Sequence, residues 1–247
     1  MIHTSKQLKD KVRNISHGDN QTAQMLIRNF IMERFLERVS ISPYRNNFIL
    51  KGGMLLASLV GIDTRATMDI DSTLKALPLN EEDAVRIVNE IIRIHVEDGI
   101  SFEIVKAAEI MADFEYPGVR LVLEDRSIEL MTYTPETLLA EKIQTILARG
   151  ITTTRMRDYY DVYEIVVGNK VSIDKEVLAE AFTATCMKRK TIFDSEQIEK
   201  IVNEISADEG LLNLWNLYKN DNFYVGDIKW TAVCEAVCAY IRGNISK

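Results

Sequence analysis

Apolar residues recur at helical spacing early in the chain, where Ala23, Leu26, Ile27, Phe30, Ile31 and Phe35 follow the period of an amphipathic helix. Ser16-His17-Gly18-Asp19-Asn20 interrupts that pattern, so residues 4 to about 40 are predicted as helix broken near 16–20. Ser42-Pro43-Tyr44-Arg45-Asn46-Asn47 reads as a loop. From there to about residue 132, short apolar runs alternate with amphipathic stretches. They predict a strand at 48–51, a helix at 53–60, a strand at 68–75, a helix from Glu81 to Val96 opened by Asn80, and strands at 101–106, 119–124 and 127–132. After Pro135 the strand signal fades, and helices are predicted at about 135–149, 155–168, 173–188, 194–206, 208–220 and 227–242. The expected fold class is α+β, a small mixed β-sheet core with flanking helices and a helical C-terminal half. Two domains are expected, 1–133 and 134–247. No Pro-, Gly- or Ser-rich linker separates them, so they are expected to pack together.

The densest chemistry lies in the strand–helix–strand stretch. Phe48-Ile49-Leu50 reads as a strand and Met54 to Val60 as the following helix, with Lys51-Gly52-Gly53 between them. A glycine turn at a helix start lets phosphates approach bare backbone N–H groups. After fifteen intervening residues stands Asp69-Ile70-Asp71. In an extended strand, residues i and i+2 point to the same side, so Asp69 and Asp71 would project together while Ile70 turns into the core. Paired carboxylates of this kind suit Mg²⁺, which completes its shell with water and phosphate oxygens. Either element alone is more often structural; within one span they point to nucleotide phosphoryl or nucleotidyl transfer. The sequence contains neither G-x-x-x-x-G-K-[ST] nor G-x-G-x-x-G, so a Walker loop and a dinucleotide fingerprint are not supported.

Composition narrows the setting. The 247 residues are 47% hydrophobic and 27% charged, ordinary for a globular chain able to bury a sizeable core. A net charge of −7 argues against a broadly basic nucleic-acid-binding surface and leaves only a local basic patch. Cys186, Cys234 and Cys238 form no C-x-x-C pair and are expected as buried free thiols in a reducing compartment. His3, His17 and His95 are scattered and make no metal-ligand pattern. No secretory signal and no apolar run of transmembrane length is visible, so a cytoplasmic protein without membrane association is expected.

The second half carries its own constellation. In the helix after Pro135, Leu138, Lys142 and Arg149 fall on one stripe. A lysine so placed either snorkels past the core edge to water or contacts a phosphate. In the next helix Asp158 shares a face with Val162 and Ile165, a place disfavoured for a carboxylate unless it is paired or at a site. Its structural role would be an internal salt bridge to Arg155 or Arg157, with Asp161 capping or pairing. Its functional role would be a base, or an organiser of a lysine and metal. Arg149, Arg155 and Arg157 make a local basic group that reads as solvated helix charge or as an RNA contact.

Two blocks in this order carry a family resemblance. Lys51-Gly52-Gly53-Met54-Leu55-Leu56 through Arg65-Ala66-Thr67-Met68-Asp69-Ile70-Asp71 resembles the first motif of the AbiEii/AbiGii nucleotidyltransferase-like toxins. Glu136 to Lys142, then Arg149, then Thr154-Arg155-Met156-Arg157-Asp158-Tyr159-Tyr160-Asp161 is similar to that family's later motifs. The likeness spans roughly 45–168. It implies a polymerase-β-like core, NTP as substrate with Mg²⁺ as cofactor, tRNA as acceptor, and a winged-helix antitoxin as partner. By position it implies a metal role for Asp69 and Asp71, a phosphate-facing turn at Gly52 and Gly53, a catalytic and nucleotide-binding Lys142, and a late catalytic Asp158. Asp161 is a weaker candidate. Relatives commonly carry an additional strand pair between segments like Tyr116 to Arg120 and Glu124 to Met131, which here are nearly fused. In polymerase-β-like enzymes a third strand carboxylate activates the attacking hydroxyl; Glu129 is a candidate stand-in, or Asp158 takes the base role.

Three functions fit these residues. The first is a Mg²⁺-dependent nucleotidyltransferase toxin acting on an RNA acceptor. The second is a protein that binds NTP or antitoxin without chemistry, because the third-carboxylate strand is missing. The third is an NTP-dependent phosphotransferase, with the same metal and phosphate requirements.

Overall fold

The computed structural model describes residues 2, 4–61, 70–75, 81–104, 118–123, 126–168 and 170–245, with the side chains of 5, 74, 81, 118–123 and 126–129 outside the description. The chain separates into two compact units, Met1–Ser58 with Ala66–Tyr133, and Leu59–Arg65 with Thr134–Lys247.

Local signals start the first unit. Helix α1 (Ser5–Ser16) opens on a reciprocal cap between Thr4 and Gln7. It stops at His17 and Gly18, both at positive φ (48° and 87°). Asp19 then accepts the Thr22 N–H at 2.7 Å and starts α2 (Asn20–Ile41). A four-stranded sheet follows, built from β1 (Phe48–Lys51), β2 (Asp71–Leu74), β3 (Gly118–Leu123) and β4 (Arg126–Thr132) in the order β2-β1-β4-β3. Strand β1 is central, antiparallel to β2 with Lys51 opposite Asp71, and parallel to β4 with Ile49 opposite Met131. Strands β3 and β4 form a hairpin in which Leu123 faces Arg126. Ile49 and Leu50 are buried, and Leu36 and Val39 of α2 lie against Phe48, Leu50 and Leu130 of the sheet. Helix α3 (Gly52–Val60) runs straight out of β1, and its Leu55, Leu56 and Ala57 have at most 1% exposure.

Two expected elements are corrected. Helix α4 (Glu81–Ile92) ends before Val96, and residues 101–104 form no strand. One buried arginine accounts for the second. Arg38 of α2 donates from Nη1 to Asp98 Oδ2 at 2.7 Å and from Nη2 to Asp98 Oδ1 at 3.0 Å and to the Ile100 carbonyl at 3.0 Å. Asp98 also accepts the Ile100 N–H, an Asx turn completed by Gly99 at φ 68°. The Phe102 ring lies under the Arg38 guanidinium at 5.0 Å and edge-on to Phe35. Tertiary capture by α2 therefore overrides the strand pattern of 101–104. Residues 105–106, 68–69 and Asn80 lie outside the described residues.

The second unit is helical. Thr134 caps α5 (Pro135–Arg149) by accepting the Thr137 N–H, and Pro135 occupies the first turn as its fixed φ favours. Then come α6 (Met156–Val167), α7 (Lys175–Lys188), α8 (Ser195–Ala207), α9 (Glu209–Asp221) and α10 (Trp230–Asn244). Aspartates 174, 194 and 208 cap α7, α8 and α9. Helix α5 is buried on most of its circumference, against α6, α7 and α8. Helix α10 closes the other side of α6, where Tyr159 meets Trp230 edge-on at 5.2 Å. Cys186, Cys234 and Cys238 are buried free thiols.

Burial disfavours the Asp98 carboxylate, but the Arg38 and Ile100 donors outweigh that cost and hold its carboxyl below the usual range. Its contribution to stability is therefore complete above about pH 4, the unfolded value, and is lost as pH falls toward the depressed folded value. Chemical denaturation between pH 6 and pH 3 should show wild type losing more stability on acidification than Asp98→Asn. Arg38→Met, which strands a buried carboxylate, should cost about 3–5 kcal/mol at neutral pH.

Candidate functional site

In the first unit the site is built by one close approach. Gly52 leaves β1 at φ 67°, a backbone region that L side chains rarely adopt, and α3 begins there. The carboxylate of Asp71, first residue of the neighbouring strand, rests over the Gly52 α-carbon. A Cβ at Gly52 would overlap Asp71 Oδ2 and stand 2.8 Å from both Asp71 Cβ and Cγ. The glycine is thus required twice, by its φ and by the carboxylate above it. Asp71 itself is exposed, while Gly53 is buried in the first turn of α3. A helix start leaves its first N–H groups without intrahelical partners and carries the positive end of the helix dipole, which suits an anion. Lys51 sits over the Tyr133 ring at 5.9 Å.

Asp69 lies outside the described residues. Ile70 precedes β2 and is half-buried, so the strand begins at Asp71 itself. Glu129 lies in β4 opposite Arg120, with its side chain outside the description. Among the described residues no group of three or more His, Cys, Asp and Glu side chains forms a metal cluster. Among the described residues, what the first unit offers a cation is one exposed hard-oxygen ligand, the Asp71 carboxylate, seated where a Cβ at position 52 would otherwise stand. That donor chemistry fits Mg²⁺.

The second unit brings together four other candidates. Lys142 of α5 does not snorkel to water: it is 8% exposed. Its ammonium donates to Asp161 Oδ2 at 2.5 Å and to Asp158 Oδ1 at 3.3 Å. The second oxygen of Asp158 accepts Arg155 Nε at 2.7 Å. Asp161 is fully buried and Asp158 nearly so, whereas the Arg155 side chain is half-exposed. Two cations and two carboxylates alternate, which offsets the desolvation of each. Asp158 and Asp161 stand one turn apart on α6 and reach the same lysine. Arg149 and Arg157 are exposed and do not join this network. Glu164, a further turn along α6, is also buried, and burial raises its carboxyl above the usual range against the opposing pull of Lys170.

A small mixed sheet followed by a helical unit is the architecture of a solved nucleotidyltransferase toxin. The chain is similar in structure to MenT4, a nucleotidyltransferase toxin from Mycobacterium tuberculosis H37Rv, with a TM-score of 0.51 over 95% of this chain and 99% of that one, at 15% identity. No curated protein matches it in sequence. The family described as "Nucleotidyl transferase AbiEii toxin, Type IV TA system" matches residues 34–236, and the chain belongs to that family. It is thus a nucleotidyltransferase-type toxin of a type IV toxin–antitoxin system.

Gly52→Ala tests the first site. The added methyl meets the Asp71 carboxylate and forces an unfavourable φ, so a destabilisation of about 1–3 kcal/mol is expected in urea unfolding. A stability equal to wild type would mean that Asp71 does not rest on Gly52.

Proposed function

We propose that this toxin transfers a nucleotide from an NTP to an RNA acceptor, with the 3′ end of tRNA as the expected target. The observation that carries this reading is the exposed Asp71 carboxylate held over a glycine-opened helix start. Asp71 with Asp69 would hold Mg²⁺, and the turn at Gly52 and Gly53 would receive β- and γ-phosphates through backbone N–H groups. When bound, the metal supplies charge neutralisation at the phosphates. Lys142 would offset negative charge as pyrophosphate leaves. Asp158 serves better as an organiser than as a base, because both of its oxygens already accept hydrogen bonds from cations. Arg149 and Arg157, exposed in an acidic chain, would meet the RNA backbone. A winged-helix antitoxin is the proposed partner and the cytoplasm the proposed setting. No described helix is long and apolar enough to cross a membrane.

A second reading has its own observation. Leu123 pairs with Arg126, so only two residues join β3 to β4. That connection leaves no room for an additional strand pair bearing a third carboxylate. The protein would then bind NTP without turning it over. A phosphotransferase, moving the γ-phosphate, is the remaining alternative.

One assay separates all three. Protein, Mg²⁺, total tRNA and NTPs labelled at either the α or the γ position should yield RNA carrying the α label. Asp71→Ala should lower the yield at least 100-fold while the protein stays folded by circular dichroism. Transfer of the γ label would establish the phosphotransferase. Saturable nucleotide binding with no transfer, and no growth arrest on expression, would establish the binding protein.

A further inference from the structure

The last residue of β1 is a lysine with a carboxylate on one neighbouring strand and an aromatic ring on the other. Lys51 pairs directly with Asp71 in the antiparallel β1–β2 ladder, so the two side chains leave the same face of the sheet with their Cβ atoms about 5 Å apart. On the other side β4 runs parallel to β1, and the Tyr133 N–H donates to the Leu50 carbonyl at 2.9 Å, which brings Tyr133 alongside Lys51. Opposite charges placed like Lys51 and Asp71 attract. They do not close on each other: the ammonium lies over the Tyr133 ring at 5.9 Å, the Asp71 carboxylate leans over Gly52, and neither residue makes an ion pair among the described residues. The Tyr133 ring is buried, Lys51 is half-buried and Asp71 is exposed.

We propose that Lys51 is the phosphate-binding cation of the first site, its ammonium receiving a non-bridging oxygen of the triphosphate whose metal is held by Asp71. This rests on the reading of the Gly52 turn as a triphosphate site. An ammonium closed on Asp71 would cancel the charge that attracts a metal and lose its own attraction for phosphate. Held over the ring instead, it leaves both charges open to the substrate. A cation–π contact at this distance is a weak hold, so the ammonium swings to an incoming oxygen on its flexible stem at little cost. Lys51 also immediately precedes Gly52, so a phosphate entering the start of α3 arrives beside it. The anion then meets backbone N–H groups and an ammonium supplied by the same few residues.

Full-length protein is titrated calorimetrically with magnesium tripolyphosphate, which presents the phosphates without a base, and separately with Mg²⁺ alone. Lys51→Met keeps the stem and removes the charge, so it should bind tripolyphosphate about tenfold or more weakly than wild type. It should bind Mg²⁺ alone as tightly as wild type or more tightly, because a positive neighbour of the metal is gone. Lys51→Arg should recover part of the tripolyphosphate binding. Damage to the strand would weaken both ligands together, so parallel weakening overturns the proposal, as does tripolyphosphate binding by Lys51→Met equal to wild type. If Lys51→Met is not recovered folded, Lys51→Gln is held to the same two criteria. Asp71→Ala separates Lys51 from the site itself. Binding present in wild type, lost in Asp71→Ala and kept in Lys51→Met removes Lys51 alone, whereas a wild type that binds no tripolyphosphate removes the phosphate reading of the Gly52 turn and the role of Lys51 with it.

Discussion

An ammonium group cannot be taken out of water alone, and the burial of Lys142 between two aspartates constrains much of the helical unit. Helix α5 is buried over most of its surface, so its single inward lysine needs anions from a neighbour. Helix α6 supplies them from positions one turn apart, and this fixes both the rotation of α6 about its axis and its height along α5. The opposite side of α6 then turns its aromatic residues toward α9 and α10. Tyr160 packs within 6.4 Å of Trp215, and Tyr159 meets Trp230. Replacing such a cluster with packed apolar residues is often neutral or stabilising, whereas removing one partner alone is costly.

The sheet unit depends on a comparable constraint of shape. Its central strand ends in a glycine because the first residue of the adjacent strand lays a carboxylate across it. Strand pairing sets that approach, with Lys51 opposite Asp71, so the neighbouring Gly52 is the one position where the main chain turns beneath Asp71. The Arg38 and Asp98 pair serves a different end. It is as deeply buried as the Lys142 cluster: the guanidinium bridges both Asp98 oxygens and the carbonyls of Arg34 and Ile100, with an aromatic ring beneath. Its effect is to bind the 98–102 segment to α2.

Much of this was legible in the order of residues. Pro135 and the apolar period after it marked α5, and Ser16 to Asn20 marked the break between α1 and α2, because caps and glycine act over a few residues. The burial of Asp158 was legible from the apolar positions Val162 and Ile165 on its face. What failed was non-local. The apolar pattern at 101–104 looks like a strand, and only the capture of Ile100 and Phe102 by an arginine more than sixty residues earlier makes it otherwise. For Lys142 the stripe left water and a phosphate contact both open, because a helical stripe does not reveal which helix covers it. The resemblance made Asp161 a weaker candidate than Asp158, and motif position carries no distance: the closer contact to Lys142 belongs to Asp161.

The same consideration bears on how the tight β3–β4 hairpin should be weighed. A missing strand removes one route to activating the acceptor hydroxyl, but it does nothing to the parts that bind and neutralise a triphosphate. Asp71 over Gly52, and Lys142 on its two aspartates, are each organised by contacts within their own unit. In phosphoryl and nucleotidyl transfer most of the rate enhancement comes from positioning and charge stabilisation rather than from proton abstraction. Loss of a base is therefore a smaller subtraction than loss of either organised group.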